Sequence, residues 1–369
     1  MTALPIAFPR IAFYAPLKPV DHPIPSGDRQ MARLILRALE ATGPVEVASG
    51  LRVYDGAGDP AAQARLTAAA AAECDRLLSL YATGPDRRPA LWLSYHVYYK
   101  APDLIGPVIA RRLGIPYVVV EATRARKRLT GPWSAFAAAA EAAIEAAALV
   151  LCVSARDRQA VEAYGPPGQR VAMLPPFLDL PPAVNRSEPT VPPRLLTVAM
   201  MRTGDKLASY RLLADALSLL PAQPWTLDIV GDGPAAAEVT ALFAPFGPRV
   251  TLHGACPPDS LAAHYRAADL LVWPGLNEAF GMVYLEAQAQ GVPVLAIDNA
   301  GTGTVIHDGV GGRLTGPAPE EFATALAALL ADPPALRALG RSARAHVEAH
   351  HALTAAADRL RGLLTGLMP

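Results

Sequence analysis

The strongest constraint on this chain is an alternation. Short apolar runs of β type are followed, again and again, by helical stretches, the signature of a parallel sheet with crossover helices. In the first half, strands are expected at Ile11–Ala15, Val45–Ser49, Ala90–His96, Tyr117–Glu121, Leu149–Ser154 and Val171–Leu174. Helices are expected between them, for example at Asp28–Ala41 and Ala135–Ala147. A proline-rich connector then runs from Pro175-Pro-Phe-Leu-Asp-Leu-Pro-Pro to Val191-Pro-Pro193. Such a segment resists helix and sheet and reads as a domain linker. The pattern restarts with strands at Leu195–Ala199, Thr226–Val230, Val250–His253, Leu270–Trp273, Val292–Ile297 and Gly312–Leu314. The remainder, about Pro319 to Leu367, is helical, broken at Pro333-Pro334 and near His350. The predicted class is α/β. Two Rossmann-like doubly wound domains, 1–176 and 194–350, are joined by a linker at 177–193 and followed by a last helical segment at 351–369. Two such domains predict a cleft between them, with ligands at the carboxyl ends of the strands.

Composition agrees with a large core, since 52% of the 369 residues are hydrophobic and only 18% charged. The formal net charge is zero, which argues against an extended basic face for nucleic acid. Cys74, Cys152 and Cys256 are odd in number and far apart, and read as buried thiols of a reducing compartment without metal spacing. The first residues lack a basic segment followed by a cleavable apolar one. No apolar run reaches the roughly 18–20 residues needed to span a bilayer. A cytoplasmic location is expected, with peripheral membrane contact as an option.

One stretch carries chemistry: Asn277-Glu278-Ala-Phe280-Gly281-Met282-Val283-Tyr-Leu-Glu286, ended by Gly291-Val-Pro293. Glycine just past a helix and proline soon after are stop signals, so a helix starts near Gly281 and ends before Gly291. Its free N–H groups and dipole suit an anion. One carboxylate, Glu278, stands beside that N-terminus, and a second, Glu286, lies about two turns on. An ionised carboxylate accepts strongly from vicinal hydroxyls. A ligand with a phosphate in the middle and hydroxyls at both ends would fit.

This Glu-x7-Glu stretch with Gly-x-Pro behind it resembles the donor site of retaining glycosyltransferases of the two-Rossmann-domain (GT-B) type, the large bacterial group 1, GT4-like family. The resemblance is clear over about Arg194–Thr315 and looser over the N-terminal half. It implies that Glu278 holds hydroxyls of the transferred sugar and Glu286 the nucleotide ribose. Phe280 opens the same motif. The N–H groups of Gly281, Met282 and Val283 would cradle the diphosphate. Arg202 and Lys206, in the loop Met201-Arg202-Thr203-Gly204-Asp205-Lys206, match the family's cationic pair that clamps the diphosphate, although Met201 replaces a glycine and Gly204 precedes the lysine. No Asp-x-Asp motif stands there for a divalent metal, so the cations would stabilise the leaving group, with no metal or other cofactor required. Gly231 of Val-Gly231-Asp232-Gly233-Pro234 matches a family turn that approaches the donor. Gly254 of His253-Gly254-Ala-Cys256 opens the loop that lies along the nucleobase in the family. In the resembling proteins the last helix crosses back to the first domain.

On the N-terminal side, Ser26-Gly27-Asp28 opens the first helix, where a cap or an acceptor contact is expected. His96 ends the third strand at its carboxyl end, where a catalytic residue belongs. The family commonly has a second histidine after the next strand; here that place reads Val120-Glu121-Ala122-Thr123, and whether His96 or Glu121 substitutes stays open. The run Arg124-Ala-Arg126-Lys127-Arg128 reads as a solvated loop or as a contact for lipid phosphate on an anionic membrane.

The resemblance implies transfer of a sugar from a nucleotide diphosphate donor to a glycan or lipid-linked acceptor hydroxyl, with retention, in surface polysaccharide or glycolipid synthesis. Two alternatives remain at this level: a nucleotide-sugar epimerase of the same build, and a non-catalytic donor-binding scaffold subunit.

Overall fold

The computed structural model describes residues 9–24, 26–182, 190–220, 223–299 and 301–367. The linker expected at 177–193 lies partly outside them. The chain forms two compact units, one of residues 1–177 with 353–369, the other of residues 178–352.

In the first unit six parallel strands stand in the order β2-β1-β3-β4-β5-β6. They are β1 (Ile11–Tyr14), β2 (Val45–Ser49), β3 (Leu91–Val97), β4 (Tyr117–Ala122), β5 (Leu149–Cys152) and β6 (Arg170–Met173). Helices α1 (Gly27–Glu40), α2 (Pro60–Tyr81), α3 (Gly106–Leu113), α4 (Ser134–Ala146) and α5 (Ala155–Tyr164) provide the crossovers. Strands β1, β4 and β5 are buried at every residue, as expected where helices cover both faces of a parallel sheet. Helix α1 begins where the Ser26 hydroxyl accepts from Arg29 N–H at 3.2 Å, and it buries Met31, Leu34, Ile35 and Leu39 on one stripe.

The second unit repeats the scheme with the order β12-β11-β10-β7-β8-β9, again all parallel. Its strands are β7 (Arg194–Val198), β8 (Thr226–Val230), β9 (Val250–Gly254), β10 (Leu270–Val272), β11 (Val294–Ile297) and β12 (Gly312–Thr315). Its helices are α6 (Asp205–Ser218), α7 (Ala236–Phe243), α8 (Pro258–Ala267), α9 (Met282–Ala289), α10 (Pro319–Ala331) and α11 (Pro333–His350). Asp332 caps α11 by accepting from Ala335 N–H at 3.0 Å, with Pro333 at the first helical position. Helix α12 (Leu353–Thr365) then packs on α1 of the first unit, where Arg361 donates to the Ala41 carbonyl at 2.8 Å. Among the described residues no single helix is long and apolar enough to cross a membrane.

Both strand orders contain one reversal point, between β1 and β3 in the first sheet and between β7 and β10 in the second. The loops leaving such neighbours run in opposite directions and open a crevice at the carboxyl ends. In each unit, that is where candidate site residues are found.

Candidate active site

In the second unit, the loops after β7 and β10 meet through Lys206 and Glu278. Lys206 sits in the first turn of α6, and its ammonium forms a short ion pair with Glu278 Oε1. The same oxygen accepts from the Trp273 indole N–H at 3.1 Å. Lys206 Nζ lies 5.4 Å from the centre of the Trp273 ring. Both charged side chains remain partly accessible, at 26% and 16% exposure, so a ligand can reach them. The expected contacts of Lys206 with phosphate and of Glu278 with sugar therefore start from residues that neutralise each other. Arg202, beside them in sequence, is exposed.

The loop carrying Glu278 is tightly turned and hydrogen-bonded. Asn277 has φ 55° and Gly275 φ 64°. Ser209 Oγ accepts from Leu276 N–H at 2.9 Å, and Asn299 Nδ2 donates to the Gly275 carbonyl at 2.8 Å. Gly281, with φ 76°, is the cap of α9, and a Cβ there would press on the Tyr284 ring. A side chain is thus excluded at the mouth of the α9 N-terminus. Phe280 and Met282 are buried, and Val283 is half-buried. Glu286, further along α9, accepts from the Tyr265 hydroxyl of α8 at 2.7 Å. Tyr265 carried no signal in the sequence, because it comes from a different helix. Gly231 and Gly254 are tied to each other, Gly231 N–H donating to the Gly254 carbonyl at 2.8 Å. A Cβ on Gly231 would collide with the Ala199 carbonyl. Close packing of the three loops therefore accounts for Gly231.

In the first unit, the first turn of α1 and the carboxyl end of β3 bring Asp28 and His96 together. His96 Nδ1 lies 3.0 Å from Asp28 Oδ1 and 3.7 Å from Glu121 Oε1 of β4. Burial works against charge on His96, but the carboxylates of Glu121 and Asp28 outweigh it and push its pKa up to about 9. Burial likewise presses on the Asp28 carboxyl, yet the hydrogen bond and charge of His96 hold it below the usual range. The shift favours the imidazolium form of His96, a hydrogen-bond donor rather than a base, although burial also pushes the Glu121 carboxyl up and so opposes the full charge of that partner. Asp28, expected as a cap or acceptor contact, is its partner; the cap is Ser26. A Cβ at Gly27 would meet open space, so packing does not explain that glycine. His96 and Glu121 have φ 60° and 62°. With Asn277 they are the non-glycine residues of positive φ among those described; His96 and Glu121 stand at the carboxyl ends of strands and Asn277 in the loop after β10. Such strain gathers at functional sites.

The sign of the His96 shift sets a pH window. Its pKa is raised above the ordinary value near 6.5, so its stabilising contribution is whole below that pH and is lost as pH rises through about 9. We expect the His96 ring to titrate near 9 by NMR, and Glu121→Gln to bring it down toward 6.5. Titration of wild-type His96 at its ordinary value would refute the ion cluster.

The basic run divides. Arg124 is buried and paired with Glu141 of α4, with Glu145 at 3.7 Å. It is a core cation and not a membrane contact, which corrects the expectation for that residue. Arg128 is half-buried over Tyr99 and Trp133, while Arg126 and Lys127 are exposed. Cys256 also differs from expectation: it is half-buried, whereas Cys74 and Cys152 are buried.

Comparison with known proteins follows the same lines. The family model described as glycosyl transferases group 1 matches residues 192–332. The D-inositol 3-phosphate glycosyltransferase of Nocardia farcinica is 36% identical over 221 residues, 55% of this chain and 49% of that protein. Its counterpart in Thermobispora bispora is 31% identical over 320 residues, 79% of this chain and 74% of the relative. The chain spans about half the length of the Nocardia relative and 61% of the one from Segniliparus rotundus. Among solved structures, sucrose-phosphate synthase from Thermosynechococcus elongatus has a TM-score of 0.70 at 20% identity, covering 98% of this chain and 99% of the other. Anabaena HepE, solved in complex with UDP, has a TM-score of 0.70 at 17% identity, covering 97% and 100%. These two share the GT-B fold with this chain. With the Thermobispora relative matched over most of its length and the group 1 model over the second unit, the chain belongs to the group 1 glycosyltransferases.

Proposed function

We propose that the chain moves a sugar from a nucleotide diphosphate sugar to an acceptor hydroxyl with retention of configuration. The observation that carries this is the Lys206–Glu278 pair at the reversal point of the second sheet, beside the N-terminus of α9. On this reading Lys206 turns from Glu278 to the diphosphate when the donor binds. Glu278, released, accepts from hydroxyls of the sugar, while Arg202 and the N–H groups around Gly281 share the phosphate charge. Glu286 takes the ribose. The bond from the anomeric carbon to phosphate oxygen breaks, and a bond to the acceptor oxygen forms on the same face. The acceptor's proton passes to the leaving phosphate. The protein's own cations stabilise the departing charge, and no metal is assigned to that step. In the first unit the imidazolium of His96 would donate to a sugar or acceptor oxygen.

UDP is the first donor nucleotide to test, because HepE was solved with UDP and with UDP-glucose. The acceptor is a glycan or lipid-linked hydroxyl, in surface polysaccharide or glycolipid synthesis. The names of the curated relatives add phosphorylated inositol to the acceptors worth testing. A thermal-shift panel of UDP, GDP, ADP and their sugar conjugates tests the donor site. One nucleotide should raise the melting temperature, and Glu286→Ala should weaken its binding about 10- to 100-fold, the worth of hydrogen bonds to a charged group. Folded protein that responds to none of them would sink the proposal.

A further inference from the structure

A second constellation stands at the outer edge of the second sheet and plays no part in the chemistry above. Asp228 is on β8, His253 on β9 and His264 on α8, and one ligand atom from each lies within 4.8 Å of the others. A register shift creates the meeting. Ile229 pairs with Leu252 but Val230 with Gly254, which leaves His253 as the extra residue of a bulge. Bulges re-aim side chains, and here the His253 ring reaches Asp228, with Nε2 2.6 Å from Oδ1. The His264 ring lies tilted beside it, with centroids 4.4 Å apart and planes inclined at 58°. Cys256, in the loop between β9 and α8, places its Sγ 3.9 Å from His264 Nε2.

We infer that Asp228, His253, Cys256 and His264 form a binding site for a tetrahedral divalent metal of the zinc class. Two imidazoles, a thiolate and a carboxylate are the donors zinc selects. Bond lengths of about 2.0–2.3 Å put tetrahedral donor atoms roughly 3.3–3.7 Å apart. The ligand atoms of Asp228, His253 and His264, all within 4.8 Å of one another, reach that spacing with shifts of about 1 Å, and Cys256 turns in from beside His264 to complete the set. Two anionic ligands neutralise the dication. Arg194, paired with the other oxygen of Asp228, orients that carboxylate and leaves Oδ1 to face the histidines. The spacing His253-x2-Cys256-x7-His264 escapes a search for paired cysteines, and Asp228 joins only through strand pairing. Bound metal would clip the edge strand β9 to α8 and fix the loop at 254–257. That loop is the one the family resemblance places along the nucleobase, so the metal would brace the nucleotide end of the donor site, while its own binding is read without any donor present.

The test uses untagged full-length protein freed of metal with a chelator and titrated with Co²⁺ alone. One equivalent should produce the intense visible bands of four-coordinate cobalt and a near-ultraviolet thiolate charge-transfer band, both displaced by Zn²⁺. Cys256→Ser should abolish the charge-transfer band, and His264→Ala should weaken binding about 100-fold or more, both with unchanged circular dichroism. Zn²⁺ should raise the melting temperature of the wild type and leave that of His264→Ala unmoved. Absence of cobalt binding at micromolar protein would overturn the site. So would binding that survives both His253→Ala and His264→Ala, since the metal would then be held elsewhere, for example by the histidines around His346.

Discussion

Glu278→Gln is expected to fold like the wild type and to lose turnover by about 100- to 1000-fold, the range seen when one preorganised electrostatic contact is removed from a transition state. The substitution keeps the shape of the side chain and its bond from the Trp273 indole. What it removes is the charge, and with it the stronger hydrogen bonds that a carboxylate accepts from sugar hydroxyls. It also leaves Lys206 without its counter-ion in the empty site, so phosphate should bind no worse. The expected signature is a fall in kcat with nucleotide affinity kept or improved. Glu286→Ala should show the reverse pattern, a weaker nucleotide with little change in kcat at saturation. A Glu278→Gln enzyme with wild-type turnover would remove Glu278 from the sugar site.

Arg124→Ala is expected to destabilise the first unit by about 3–5 kcal/mol, because it strands the buried Glu141 without its partner. Arg126→Ala, two residues on, should change stability by less than about 0.5 kcal/mol, as surface substitutions usually do. Urea denaturation of the two variants side by side measures the difference. Equal stabilities would place Arg124 on the surface after all and restore it to the basic run.

That contrast shows where the reading of the sequence stopped. Four basic residues in five look alike along one dimension. Arg124 differs because it follows the fully buried β4 and meets Glu141, seventeen residues later on α4. No periodicity encodes that pairing. The strands, by contrast, were legible throughout, since each is a local apolar run with local stop signals. The loop and short helix of the Glu-x7-Glu stretch were legible for the same reason. Glu278, Gly281 and Glu286 lie on one loop and one short helix, where spacing determines geometry. Their supports were not. Trp273 and Tyr265 reach the two glutamates from other elements. The cluster of Asp28, His96 and Glu121 is assembled by strand order, and the left-handed backbone of two of its members leaves no trace in residue type.

The return of α12 to the first unit has a consequence for biosynthesis. The chain emerges from the ribosome in order, yet the unit that starts first receives α12 only after the other unit has been made. Until then the face of α1 that α12 covers is open to water, and the Ala41 carbonyl has no Arg361 to bond. The second unit is contiguous and needs no later segment to finish. A nascent chain therefore carries an unfinished domain ahead of a finished one, and a stall or a nonsense codon between the codons for α11 and α12 would damage the first domain while sparing the second.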